Sequence, residues 1–288
     1  MPELPEVEVV KKSLRKNIIN SIITNVLTNT NKLRYTIHKK DFKKIRNHKI
    51  ISISRRSKYL LINTNNEYTI LVHLGMTGKF IIMDKNRKLK KTSFYYNLNK
   101  NNQKHNHVIF NLNKNKKLIY NDVRKFGFIK ILCSKNIYKD KHLKFLGPEP
   151  MSNKFTVKYF KRTILNKNRT TKDILMDQKV VSGLGNIYVN EILFLSKIDP
   201  KKKIKELIDR DIRKIIFFTK KILKKSILKG GSSIKNFSNS DGKNGVFQRQ
   251  FNVYGQIGEK CNRKNCKDYI KKTYISNRST FYCRTCQK

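Results

Sequence analysis

The chain has 288 residues, room for two domains with separate cores, and its 38% hydrophobic content is adequate for folding. Its formal charge of +47, from 66 Lys+Arg against 19 Asp+Glu, points to a polyanionic partner. No run approaches the ~18 apolar residues of a membrane-spanning helix, and the acidic start is unlike a secretory signal, so no membrane partner and a cytoplasmic location are expected. The chain is crowded with Lys, Asn and Ile and has no Trp, as translation from an AT-rich genome would give. The charge is therefore only permissive, and arginines and glycines in defined places must carry the argument.

The chain opens Met1-Pro2-Glu3-Leu4-Pro5-Glu6-Val7. Removal of Met1 before the small Pro2 would free a secondary amine, and an α-amino group titrates near ~7.7–8.0, well below a lysine. Such an amine attacks an aldehyde-level carbon to give a cationic iminium, and the Glu3 carboxylate lies beside it. Val7, Val10, Leu14 and Ile18 keep helical spacing, with acids in the first turn and Lys11, Lys12, Arg15 and Lys16 after them. A packed helix here would hold Pro2 in a fixed place, where most chain ends fray.

Short apolar runs rich in β-forming residues follow at 22–27, 50–53, 59–62, 69–74, 80–83, 108–112, 118–120 and 126–132, with a short helix possible over 41–46. They predict an antiparallel sandwich or barrel, with 84–103 as a surface loop. Cys133, at the end of the last run, reads as a buried small hydrophobe. Composition changes at Leu146-Gly147-Pro148, and beyond it the pattern is helical: 155–165, 172–178, 186–195 and a long helix over 204–228. Leu207, Ile208, Ile212, Ile215, Ile216 and Leu223 are its predicted buried stripe, and Gly230-Gly231 its stop. The predicted division is a helix plus β-sandwich over 1–135, a linker over 136–150, a helical domain over 151–231, a loop over 232–250 and a cysteine hairpin over 251–288.

Cys261-x4-Cys266, sixteen residues, then Cys283-x2-Cys286 is the strongest spacing signal. In a reducing compartment it favours one closed, structural, tetrahedral zinc over disulfides. Strands over 269–274 and 280–282 would flank a tip at Ser276-Asn277-Arg278-Ser279. Other segments are weaker on their own terms. Lys58 reads as a surface charge at a strand start, Met76 in His73-Leu74-Gly75-Met76-Thr77-Gly78 as core, and Gly183-Leu184-Gly185-Asn186 as a glycine turn opening a helix.

Together these segments resemble, in order along the whole chain, the formamidopyrimidine (8-oxoguanine) DNA glycosylases. The resemblance implies an α+β multidomain fold: an N-terminal helix and antiparallel β-sandwich, then a helical helix-two-turns-helix domain and a zinc-finger β-hairpin. It implies a monomeric, bifunctional glycosylase and apurinic/apyrimidinic lyase acting on damaged double-stranded DNA at the nucleoid. Pro2 would be the nucleophile, assisted by Glu3, with Lys58 and Arg278 as acid/base and phosphate-gripping groups. Met76, Arg124 and Phe126 would fill the space left by the extruded base. His105, Lys167 and Asn186 would contact the DNA backbone, and residues 232–250 would close over the lesion. This chain departs from the family in having four residues within its first cysteine pair, where two are common, and Arg124-Lys125 for Arg-Arg. Three other readings are an endonuclease VIII-like enzyme for oxidised pyrimidines, an inactive descendant, and a non-catalytic zinc-ribbon binder. The last explains charge and cysteines but not Pro2-Glu3, Lys58 and the wedge together.

Overall fold

The structure is a computed structural model describing residues 1–86, 88–93, 100–232 and 250–288. The chain forms two compact units, residues 1–144 with 229–246, and residues 145–228 with 247–288.

The first unit begins with helix α1 (Leu4–Ile18). Its start is written in the sequence: Glu3 is an extended N-cap, Glu6 completes a capping box, and Pro5 sits in the first turn, where its missing N–H has no helical partner to lose. Val7, Val10, Leu14 and Ile18 are fully buried along one face, each worth about 1.5–3 kcal/mol of transfer free energy. After it come β1 (Ile22–Thr28), α2 (Lys39–Lys43), β2 (His48–Arg56), β3 (Tyr59–Thr64), β4 (Tyr68–His73), β5 (Lys79–Met83), β6 (Leu89–Lys91), β7 (Asn106–Leu112), β8 (Lys116–Asn121) and β9 (Phe128–Cys133).

All nine strands pair antiparallel in the order β6-β5-β8-β7-β1-β2-β3-β4-β9. The ladder thins to two residue pairs between β1 and β2, Ile22 with Lys49 and Ile23 with His48. Ile53, Leu60, Ile62, Ile70 and Val72 from one half share a core with Phe80, Val108, Phe110, Leu118 and Tyr120 from the other. The expected sandwich is therefore one sheet folded on itself at its weakest pairing. Three expectations need correction. The predicted loop after residue 84 contains β6, an edge strand without the apolar run that marks its neighbour β5. The helix expected over 41–46 is α2, starting two residues earlier, and Asn47 in a left-handed conformation then turns the chain into β2. Cys133 is only half-buried, because it ends β9 at the sheet edge, opposite Tyr68.

The second unit holds α3 (Val157–Ile164), α4 (Thr171–Met176), α5 (Asn186–Ser196), α6 (Asp209–Leu228) and a hairpin of β10 (Lys271–Ile275) and β11 (Arg278–Tyr282). Thr156 and Thr170 cap α3 and α4, their hydroxyls accepting from the Tyr159 and Asp173 amides at 3.1 Å. α5 is the central element, buried almost all round, with Ile187, Val189, Ile192 and Leu193 in the helical core. The long helix starts at Asp209 rather than 204. Residues Ile204–Glu206 form a separate 3₁₀ turn and Leu207 is extended, which lets Asp209 and Asp211 occupy the first turn, where the helix dipole favours acids. Ile208 consequently lies outside the helix and is 61% exposed, and the stripe is Ile212, Ile215, Ile222 and Leu223 with Thr219 and Ser226. Among the described residues no helix is long and apolar enough to cross a membrane.

Glu191, fully buried on α5, accepts from the Asn252 amide at 2.9 Å, its side-chain nitrogen at 2.7 Å, and the Val253 and Tyr254 amides at 2.9 Å. This carboxylate seats the segment that leads into the hairpin. Glu191→Gln turns an acceptor into a donor facing N–H groups and is expected to lower unfolding stability by about 2–3 kcal/mol in a denaturant titration. A change within error would mean that the four bonds are replaced at no cost.

Candidate active site and nucleic-acid interface

The capped start of α1 fixes the amino terminus. Pro2 is buried, Glu3 is 3% exposed, and the Glu3 amide donates to Glu6 Oε2 at 2.9 Å. The other oxygen of Glu6 accepts from the amide and hydroxyl of Ser232, both at 2.8 Å, so one carboxylate fastens the chain after α6 to the terminus. Gly231, with a φ of +81°, makes this approach, and a Cβ there would press on Glu6 at 3.3 Å.

Lys58 enters the same region from the two-residue turn between β2 and β3, where Arg56 pairs with Tyr59 and Ser57 is left-handed. Arg55 braces that turn, its Nε donating to Glu8 at 2.8 Å and an Nη to the Ser57 carbonyl at 2.8 Å. Lys58 is 6% exposed, so the surface-charge reading of it fails. Burial lowers the pKa of the Met1 amine; Glu3 and Glu6 oppose this, and Lys58 and Arg124 add to it. Both cations are therefore close enough for the terminus to feel them. Burial, helped by Lys58, Arg34 and His142, pushes His73 down to about 3. It stays neutral, as it must for its Nδ1 to accept the Gly75 amide at 3.1 Å.

The loops after β4 and β8 bring Met76, Arg124 and Phe126 together. An Arg124 Nη lies 3.2 Å from Met76 Sδ, and its guanidinium carbon sits 4.4 Å from the centroid of the Phe126 ring. All three are exposed, an apolar and cationic knob presented to solvent. Phe126 stands in the loop before β9 rather than in the strand predicted from 126. The half-buried His105 is joined to the second loop through its carbonyl, which accepts the Asp122 amide at 3.1 Å.

In the second unit, Asn186 begins α5 and its side-chain nitrogen donates to the Ser279 carbonyl at 2.9 Å, beside Arg278. Arg278 is not on the hairpin tip. Ser276 and Asn277, with φ of 47° and 58°, make a two-residue turn of the primed type, and Arg278 pairs with Ile275 as the first residue of β11. Its side chain is exposed. Lys167 lies on the connection between α3 and α4, half-buried.

Two residues that sequence reasoning passed over hold this surface. Lys172, 1% exposed on α4, donates to the Ser279 carbonyl at 3.0 Å and the Thr280 hydroxyl at 2.7 Å, and burial brings its pKa down to about 8. Asn190 accepts the Phe281 amide at 2.8 Å. A lysine in a short polar helix carries no sequence sign of being buried, so only the fold reveals Lys172.

The sulfur atoms of Cys261, Cys266, Cys283 and Cys286 all lie within 4.8 Å of one another, with Cys261–Cys286 at 3.9 Å and Cys266–Cys283 at 3.7 Å. Four Zn–S bonds of ~2.3 Å in a tetrahedron require sulfurs about 3.8 Å apart, so the cluster fits one zinc with no position left for water. The longer first pair is absorbed locally: Asn265 is left-handed and the Cys266 amide returns to the Arg263 carbonyl at 3.1 Å. Asp268 braces the second pair through the Thr285 amide and hydroxyl at 3.2 and 3.0 Å.

A helix-led antiparallel unit with a buried N-terminal Pro-Glu, and a helical unit ending in a four-cysteine hairpin, define the class of zinc-hairpin DNA-repair glycosylases. Residues 1–129 match the formamidopyrimidine-DNA glycosylase N-terminal domain, 146–238 the formamidopyrimidine-DNA glycosylase H2TH domain, and 258–288 the zinc finger found in FPG and IleRS. The chain belongs to the formamidopyrimidine-DNA glycosylase family. It is 42% identical over 288 residues to the formamidopyrimidine-DNA glycosylase of Rickettsia bellii, covering 100% of both chains. It is 41% identical over 287 residues to that of Rickettsia canadensis, covering 100% of this chain and 99% of the other. Among solved structures it is similar to a Lactococcus lactis FPG mutant in complex with Fapy-dG-containing DNA, and to the Lactococcus lactis Fpg in complex with abasic-site DNA. Each match has a TM-score of 0.86 at 33% identity and covers 100% of both chains.

Proposed function

We propose that this chain excises oxidised purines, 8-oxoguanine opposite cytosine and formamidopyrimidines, from duplex DNA and cleaves the resulting abasic strand. The observation that carries the reading is the pinned, buried Pro2-Glu3 segment, with Lys58 and Arg124 near enough for the adjoining Met1 amine to feel both charges. With Met1 removed, the Pro2 nitrogen attacks C1′ while Glu3 protonates the deoxyribose oxygen as the ring opens. The C1′–base bond breaks, its electrons leave with the base, and a C1′ iminium remains. The iminium acidifies the C2′ proton, so β-elimination expels the 3′ phosphate and a second elimination the 5′ phosphate. Water then releases the sugar fragment and restores the amine. Lys58 and Arg278 assist the proton transfers and grip phosphates.

Met76, Arg124 and Phe126 fill the vacated stack, with Arg124 reading the orphaned cytosine, which offsets part of the cost of flipping. His105, Lys167 and Asn186 contact the DNA backbone. The loop proposed to close over the extruded base, residues 232–250, falls almost wholly outside the described residues; Ser232, at its start, bonds to Glu6. Zinc, when bound, supplies no chemistry to the reaction and holds the hairpin that carries Arg278. The enzyme acts as a monomer in the cytoplasm, at the nucleoid.

Comparing duplexes that carry 8-oxoguanine or thymine glycol tests the lesion class; faster release of thymine glycol would place the chain with the pyrimidine-specific relatives. Burial lowers the pKa of the Met1 amine, and removal of Met1 would leave the Pro2 amine beside the same Glu3, Lys58 and Arg124. Since the unprotonated amine is the nucleophile, single-turnover excision should then persist below the pH at which an ordinary terminal amine would be protonated. An acid limb at the ordinary amine value would contradict the buried-terminus argument. If about 6–10 phosphates are neutralised, affinity should fall by roughly 10³–10⁵-fold between about 50 and 200 mM salt. A flat salt response would remove the basic-surface argument.

A further inference from the structure

We infer that Asp122 is a positioning residue that locks the two wedge loops into one rigid part, with Thr77 as the hydroxyl bridge between them. The inference rests on the proposed wedge role of Met76, Arg124 and Phe126. Asp122 is fully buried, and the hydrogen bonds of its carboxylate go to residues beside the wedge. Its Oδ1 accepts the Thr77 hydroxyl, the residue directly after Met76. Its Oδ2 accepts the Gly127 amide at 2.8 Å, the residue directly after Phe126, and the Tyr120 hydroxyl at 3.4 Å. Thr77 Oγ1 in turn accepts the Arg124 amide at 3.0 Å. One carboxylate and one hydroxyl thus tie the residues after Met76 and Phe126, and the amide of Arg124 itself, to a common point.

The main chain of Asp122 is anchored as well. Its amide donates to the His105 carbonyl at 3.1 Å and its carbonyl accepts from His107 Nε2 at 2.9 Å, so the lock is continuous with the β7 strand start. The packing leaves no slack. A Cβ on Gly127 would stand 1.8 Å from the Tyr120 hydroxyl, and one on Gly75 only 2.4 Å from the Gly127 nitrogen. Both glycines are required because the loops touch backbone to backbone. A wedge entering a base stack must resist being pushed back, and three exposed side chains on separate loops cannot do so unless the loops move together. Buried hydrogen bonds to a carboxylate in a dry site supply that stiffness.

Thr77→Val removes the bridging hydroxyl at nearly constant volume and leaves every wedge side chain in place. The expected result is a fall of about tenfold in single-turnover excision of 8-oxoguanine opposite cytosine, with weakened discrimination against an opposite adenine. Cleavage of the same duplex carrying a preformed abasic site, which has no base to evert, should change by less than about twofold. Thr77→Ser should restore both, and a fluorescent base analogue beside the lesion should report slower unstacking in the valine variant alone. Asp122→Asn should move the same ratio in the same direction; if it does not fold, the valine and serine pair decides. Equal loss on lesion and abasic duplexes, or no loss on either, would overturn the lock. Wild-type protein unable to excise the lesion would instead sink the proposed function, so the two failures are distinguishable.

Discussion

Protein that retains Met1, made by placing a bulky residue after it so that processing fails, is expected to lose lesion excision by about 10⁴-fold or more. The amide that then occupies the Pro2 nitrogen has no lone pair to give C1′, and no rearrangement of α1 restores one. The rest of the machinery would be untouched. Glu3 is held by the capping box, Lys58 by its braced turn, and the wedge by Asp122, so affinity for lesion duplex should change only severalfold. That split between lost chemistry and retained binding distinguishes a missing nucleophile from a misfolded site. Undiminished excision would mean that the nucleophile is a lysine, with Lys58 the first to examine.

Removing zinc is expected to cost at least about 10²-fold in DNA affinity, because structural zinc sites contribute on the order of 10–16 kcal/mol to local folding. A two-stranded hairpin is marginal by itself. β10 and β11 have one ladder of five residue pairs, a small apolar cluster around Cys283 and Phe281, and the bonds from Lys172, Asn186 and Asn190. Without metal, burial pushes the Cys283 thiol up and Cys286 up to about 11, whereas the Asp268 backbone lowers Cys266, and the four sulfurs lose the cation that gathers them. Chelation, or Cys283→Ala, should raise hydrogen exchange across 251–288 and displace Arg278, leaving the first unit protected. Unchanged affinity with the metal fully removed would refute a zinc-held hairpin.

What the sequence disclosed was whatever depends on short-range pattern. Helical spacing with acids in the first turn announced α1, short apolar runs rich in β-forming residues announced eight of the nine described strands of the first unit, and cysteine spacing announced the metal site. The failures share a cause. β6 is polar, and Leu207-Ile208 look helical by periodicity, but the acids after them set the start of α6. Lys58 and Lys172 are two lysines in a chain full of lysines, and burial alone separates them from the rest. Nothing local marks Asp122 as the point where two loops join, because its partners Thr77 and Gly127 are assembled by the sheet. Resemblance named the wedge side chains but gave no reason for them to stand together.

Borohydride trapping on an 8-oxoguanine duplex, followed by mass mapping of the modified peptide, tests the whole account most directly, since one product reports residue, reaction and substrate. The account predicts a reduced covalent adduct on the N-terminal peptide, at the Pro2 nitrogen, that disappears when Met1 is retained. An adduct on Lys58 or any other lysine, or no adduct during measurable excision, would contradict it.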